Sequence, residues 1–334
     1  PWCVSWGDGK CAKFEGTVSH EYKEKGIYRV KIYKNEEEIK YIIFSCFVLD
    51  SMTNFITLGN IGITNLNNMF SESEFNAKIS PNFNTSNITT MESIFREACR
   101  FNQPIGHWDT SNVMDMKYMF NDATNFNRSI GNWDTSQVRD MSFMFYNAIN
   151  FNQPIGNWDT SSVTDMGYMF NNALEFDQPI GNWNVSQVRD MCYMFREARN
   201  FDQPIGNWDV SNVVNMSYMF YETKKFNQPI GNWDVSRVID MSYMFYNASL
   251  FNQPLEWNTT ELTKLKSMFR SALNFNQKIN WNTSKVTDMG GLFENTNNLT
   301  QLPELDITSL DVIRKIFQNS NFKDCKIKLI ISDN

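Results

Sequence analysis

Histidine is nearly absent: His20 and His107 are the only two in 334 residues. His107 stands in a turn where other units have Asn132 or Asn157. No nucleophile, histidine and acid arrangement can be assembled, so an enzyme is not expected. Long apolar runs are missing too, and nothing approaches the ~20 residues of a helical membrane span. Positive charge is outweighed, with 30 Lys and Arg against 37 Asp and Glu and a net charge of −7. An acidic chain without a basic stripe is a poor nucleic-acid binder. No glycine-rich phosphate loop occurs, because the recurrent Pro-Ile-Gly lacks a downstream lysine. No cofactor is expected.

Cysteine is sparse and lacks the Cys-x-x-Cys spacing of a metal or redox motif. The six residues Cys3, Cys11, Cys46, Cys99, Cys192 and Cys325 are scattered, as free thiols of a reducing compartment would be. Cys3 and Cys11 flank the Trp6–Gly9 turn and could pair across a hairpin in an oxidising one. No charged segment leads into an apolar stretch near Pro1, so no secretion signal is read here. A methionine-trimmed cytosolic product is the expectation, with a mature fragment as the alternative. Asparagine is plentiful at about one residue in eight, which suits AT-rich coding as well as turns.

What the chain does have is a period. The stretch "FNQPIGNWDTSSVTDMGYMF", Phe151 to Phe170, returns with small changes throughout. The phenylalanine of its Met-Phe pair falls at Phe70, Phe95, Phe120, Phe145, Phe170, Phe195, Phe220 and Phe245, then at Phe269, Phe293 and Phe317. The step shortens by one residue where "PIGNW" becomes "PLEW" (Pro254 to Trp257), a turn that has lost its glycine. Repeats of this length mark a solenoid, and such a unit cannot bury a core alone.

Within one unit the apolar residues are Phe151, Ile155, Trp158, Val163, Met166, Met169, Phe170 and Ala173. From Val163 onward their spacing fits one helical stripe, with Thr160, Ser161 and Ser162 as N-cap candidates and Asp165 suited to the first turn. The spacing therefore predicts a helix near 161–172. A brief parallel strand is expected at Phe151–Gln153, ended by Pro154, which cannot donate a ladder hydrogen bond. The fold class is an α/β solenoid of about 10–11 strand-turn-helix coils of 24–25 residues, rising roughly 4.8 Å per coil. Phe stacks on Phe and Trp on Trp. Asn102, Asn127, Asn152, Asn227, Asn252 and Asn276 form an amide ladder interrupted by Asp177 and Asp202.

Two carboxylate columns recur, one after Trp (Asp109, Asp134, Asp159, Asp209, Asp234) and one before Met (Asp115, Asp140, Asp165, Asp190, Asp240, Asp288). A row of calcium ions is one reading. Helix capping is the preferred one, since Lys264 stands in the second column and no metal site is expected. One feature is not demanded by the core. Between the buried methionines stands an aromatic: Tyr118, Phe143, Tyr168, Tyr193, Tyr218 and Tyr243. Further tyrosines follow Met-Phe at Tyr146, Tyr221 and Tyr246. These nine are the candidate interaction surface, because Tyr is enriched where a side chain is part buried and part wet, and at binding hot spots.

The repeat "FNQPIGNWDTSNVxDMxYMF", covering about Phe70 to Phe317, resembles the BspA-type leucine-rich-repeat family of surface proteins. The resemblance implies a leucine-rich-repeat-like solenoid and a role in adhesion or protein–protein contact, with no catalytic residues. Members occur on bacterial surfaces, in mycoplasma lipoproteins and in large DNA viruses. Residues 1–50 are expected to form a β-rich cap, resembling the PKD-like fragment that often precedes such repeats, with strand chemistry at His20–Ile32 and Ile39–Leu49. Residues 51–320 form the solenoid, and residues 321–334 a lysine-rich closing strand. The expected function is recognition at a cell or particle surface, with a host receptor as partner. The alternative is a structural rod packed against a neighbouring coat protein in a large viral shell. Nothing in the sequence sets an oligomeric state.

Overall fold

The computed structural model describes residues 2–14, 20, 31–33, 54–55, 63–301, 303–305 and 316–317. In it the repeats stack as the coils of a continuous solenoid. Neighbouring coils meet at parallel backbone bridges. The bridges run from Asn65–Thr90 through Asp140–Asp165 and Asp165–Asp190 to Lys264–Asp288. Ahead of the coils, β1 (Trp2–Ser5) pairs antiparallel with β2 (Cys11–Phe14) and with β3 (Lys31–Tyr33). Two short strands, β4 (Asn54–Phe55) and β5 (Lys78–Ile79), pair in parallel at the start of the stack. The strand expected at Ile39–Leu49 and the closing strand at 321–334 lie outside the described residues.

The helix expected near 161–172 is not formed. No α-helix occurs between residues 63 and 301. The segment is a run of turns whose amides alternate between two kinds of partner. Met166, Tyr168, Phe170 and Asn172 donate to Asp190, Cys192, Met194 and Arg196 of the next coil, at 3.2, 2.8, 2.9 and 2.6 Å. Met169, Asn171 and Ala173 donate three residues back within their own coil. An α-helix closes every interior amide on its own i−4 carbonyl, leaving none to tie coil to coil. The right-handed path is broken by φ values of 60° at Tyr168 and 56° at Asn172. An apolar period close to 3.6 survives because successive tight turns also bring every third or fourth residue to one side.

The strand expected at Phe151–Gln153 is likewise absent, and parallel pairing has moved to the Thr164–Met166 segment. Beside Phe151, side chains stand in for a backbone ladder. The Asn152 amide donates to Asn127 Oδ1 at 3.1 Å, and Gln153 Nε2 donates to the same oxygen at 2.8 Å. Asp177 and Asp202 continue this ladder, accepting from Asp202 and Asn227 backbone amides at 3.0 and 2.9 Å. Only an acceptor oxygen is required there, so a carboxylate serves as well as an amide.

The core is a set of aromatic columns. Phe145 and its equivalents from Phe70 to Phe293 are fully buried, as are Phe151 and its equivalents from Phe75 to Phe275, and Trp158 is 3% exposed. Each indole is tethered backwards: Trp158 Nε1 donates to the Ile130 carbonyl at 3.1 Å, and Trp183 to Ile155 at 3.1 Å. Trp108 breaks the pattern, its Nε1 finding no hydrogen-bond partner. The turn before it, Ile79 to Phe83, is one residue longer than Ile105 to Trp108. The Ser80 carbonyl takes His107 Nε2 instead, at 3.3 Å. The repeated glycine has a spatial cause. A Cβ on Gly156 would lie 2.3 Å from the Pro179 carbonyl oxygen of the next coil.

Candidate interaction surface

Six aromatic side chains, Tyr118, Phe143, Tyr168, Tyr193, Tyr218 and Tyr243, form one unbroken stack. Their successive ring centroids are 4.6, 4.3, 4.3, 4.3 and 4.6 Å apart. All six are half-buried. All six also hold left-handed backbone, with φ between 55° and 60°. That conformation is uncommon for bulky residues and costs roughly 1–2 kcal/mol each. At the same register nearer the ends the chain has Asn68, Ser93, Ser267 and Gly291, of which Asn and Gly are better suited to it. The aromatics are therefore confined to the middle coils, where conformational preference alone does not favour them.

The ring steps also reveal the curvature of the solenoid. The step is 4.3–4.6 Å in the tyrosine column and 5.4–5.8 Å in the column containing Phe145. It grows to 5.8–6.2 Å in the column of Phe151, and to 6.3–6.5 Å from Trp108 to Trp257. Equivalent points on rigid repeats step least where they lie nearest the axis of curvature. The tyrosines thus line the inner, concave side and the tryptophans the outer one. Because the rings stack along the rod, they turn their edges and hydroxyls outward and keep their faces against each other.

Tyr146, Tyr221 and Tyr246 form a second, broken column beside the first. Tyr146 lies tilted against Phe143 and Tyr168, at 5.9 and 6.5 Å. Tyr221 and Tyr246 stack at 4.6 Å, and a guanidinium covers each outer face. Arg196 sits 5.1 Å from the Tyr221 centroid and Arg270 sits 5.7 Å from that of Tyr246. The sequence reading missed this four-layer stack. Its signal was the column one residue after Met-Phe, where Arg196, Tyr221, Tyr246 and Arg270 follow in order.

Burial, then the neighbouring phenols of Tyr193 and Tyr243, push Tyr218 up to about 12. Burial raises Tyr168, Tyr193 and Tyr221 as well. The inner carboxylate column runs alongside. Asp115 and Asp165 are raised, chiefly by burial and further by neighbouring carboxylates of the same column. One oxygen of each caps a turn, as where Gly167 N–H donates to Asp165 Oδ1 at 2.8 Å. With no α-helix between residues 63 and 301, the expected dipole stabilisation of these carboxylates has no basis. Turn capping remains. In the outer column, hydrogen bonds from Ser111, Ser161 and Ser236 lower Asp109, Asp159 and Asp234.

Other candidates are dispersed. No group of three or more His, Cys, Asp and Glu side chains placed to hold a metal ion occurs among the described residues. Cys3 lies opposite Lys13 and Cys11 opposite Ser5, a diagonal relation, and both are free thiols. Cys192 is buried, which pushes its thiol far up. No helix among the described residues is long and apolar enough to cross a membrane.

Against known proteins, the model of a family described as "Mycoplasma protein of unknown function, DUF285" matches residues 64–183, 129–231, 150–256 and 255–328. The matched residues leave out the N-terminal β strands, and nothing supports their resemblance to a PKD-like fragment. No curated protein matches the chain. Among solved structures, the chain is similar to the one titled "Crystal structure of TLR13-ssRNA13 complex", at 11% identity and a TM-score of 0.22. That match covers 80% of this chain and 49% of the other, so the chain spans about half that protein's length.

Proposed function

This chain belongs to the DUF285 family of repeat proteins, and from that premise we propose that it is a non-enzymatic recognition solenoid binding another protein along its inner face. The carrying observation is the aromatic stripe from Tyr118 to Tyr243. It holds an unfavourable backbone conformation in six consecutive coils, on the side towards which the rod curves. Strain of this kind concentrates at functional sites, and solenoids bind through their concave surfaces. The phenol hydroxyls offer hydrogen bonds at the rim of an apolar stripe, the chemistry of a protein contact. Display on a cell or particle surface is the setting in which such a module acts as an adhesin.

Site-specific photo-crosslinking in the native cell or particle tests this reading. A benzophenone side chain replaces Tyr218 on the inner face, or Asp234 beside the tryptophan column. Crosslinks from position 218 to one partner protein, with none from position 234, are expected. Crosslinks from position 234 alone would overturn it.

A further inference from the structure

The second tyrosine column shows how this protein treats an aromatic face, and where it leaves one untreated. Arg196 covers Tyr221 at 5.1 Å and is itself held by Glu197 at 2.6 Å. Arg270 covers Tyr246 at 5.7 Å and is held by Glu294 at 3.1 Å. The unit is thus a tyrosine, a guanidinium over its ring, and a carboxylate that fixes the guanidinium. Arg96 and Glu97 repeat the ion pair at 2.6 Å at the equivalent register.

Tyr146 has two of these three parts. Asp122 occupies the position of Glu197, one coil before the tyrosine, and its amide donates to the Tyr146 carbonyl at 2.8 Å. The residues above and below Tyr146 are Asn121 and Asn171, only 6% and 2% exposed, too short and too buried to cover a ring. Asp122 accepts a hydrogen bond from Asn147 and takes part in no ion pair among the described residues. Asp115, Asp140 and Asp165 run alongside, bridged in series through the backbone. We propose that Tyr146 and Asp122 form a socket for a guanidinium of the binding partner, which completes in trans the arrangement that Arg196 and Arg270 complete in cis. The partner is therefore a protein presenting arginine to the inner face. This rests on the recognition reading above and names the chemistry of what is recognised.

The surrounding repeats supply the test variants. Asn121→Arg recreates the pair formed by Arg196 and Glu197 and fills the socket from within. Tyr146→Asn installs the residue found in both flanking coils, so neither change is foreign to the column. A fluorescein-labelled peptide alternating arginine and glycine is titrated into the full chain by anisotropy, with an alternating lysine and glycine peptide as the charge control. Wild type is expected to prefer the arginine peptide, and both variants to bind it roughly tenfold more weakly. Equal binding by wild type and Asn121→Arg, or no preference for arginine over lysine, overturns the proposal. Crosslinking from position 218 would still report on the recognition reading, so the two can fail separately.

Discussion

At the residue scale, Asp165 in one carboxylate column and Asp109, Asp159 and Asp234 in the other carry opposite linkage to pH. Asp165 sits above its ordinary range through burial and its neighbours in the column. An acid raised in the folded state binds its proton more readily folded than unfolded. It therefore weakens the fold at neutral pH, and that cost vanishes as pH falls below the unfolded value near ~4. Asn215 already replaces the acid in one coil and keeps the cap, accepting from Ser217 N–H at 3.1 Å. Asp165→Asn is expected to stabilise by about 0.5 kcal/mol at pH 7, with the gain shrinking to nothing at pH ~4. Urea denaturation at the two pH values measures it. Asp109, Asp159 and Asp234 behave in the other sense. Their depressed values give stability above the unfolded pKa, lost as pH falls through the folded one.

At the scale of the element, the Pro-Ile-Gly turn is fixed by what lies across from it. The glycine reads from sequence as turn chemistry, but its role is clearance for the next coil's proline carbonyl. Gly156→Ala is expected to cost about 1–3 kcal/mol, as overpacking does. Gly167→Ala serves as the control, because Ser142, Cys192 and Ser217 fill that register elsewhere. The difference in denaturation midpoint decides it. Period, coil stacking, aromatic columns and the amide ladder were all legible in the sequence, since each rests on identical residues meeting themselves. The backbone was not. A 3.6-like apolar spacing cannot separate a helix from a chain of tight turns. The clue lay in Gly291 and Asn68 at the tyrosine register, where left-handed backbone is well tolerated. The half-buried tyrosines could be singled out from spacing alone, whereas the concave side emerged only from comparing ring steps between columns.

At the scale of the whole molecule, cohesion is local. Each coil bonds to its two neighbours through the same set of amides, so stability is close to a sum over repeats and interfaces. Removing residues 151–175 keeps the register and should leave a folded protein, with a melting temperature only a few degrees lower. Removing 151–162 splits a coil and should abolish the cooperative transition. Circular dichroism melting of both deletions would show it. The tryptophan column has a further consequence for light. From Trp108 to Trp257 the indoles stand 6.3–6.5 Å apart, with planes within 5° of parallel. Excitation absorbed by any one of them can hop along the row and keep its polarisation, so a single quencher at one end would dim them all. The outer wall of the rod is an antenna, and an intact run of coils can be read from its glow.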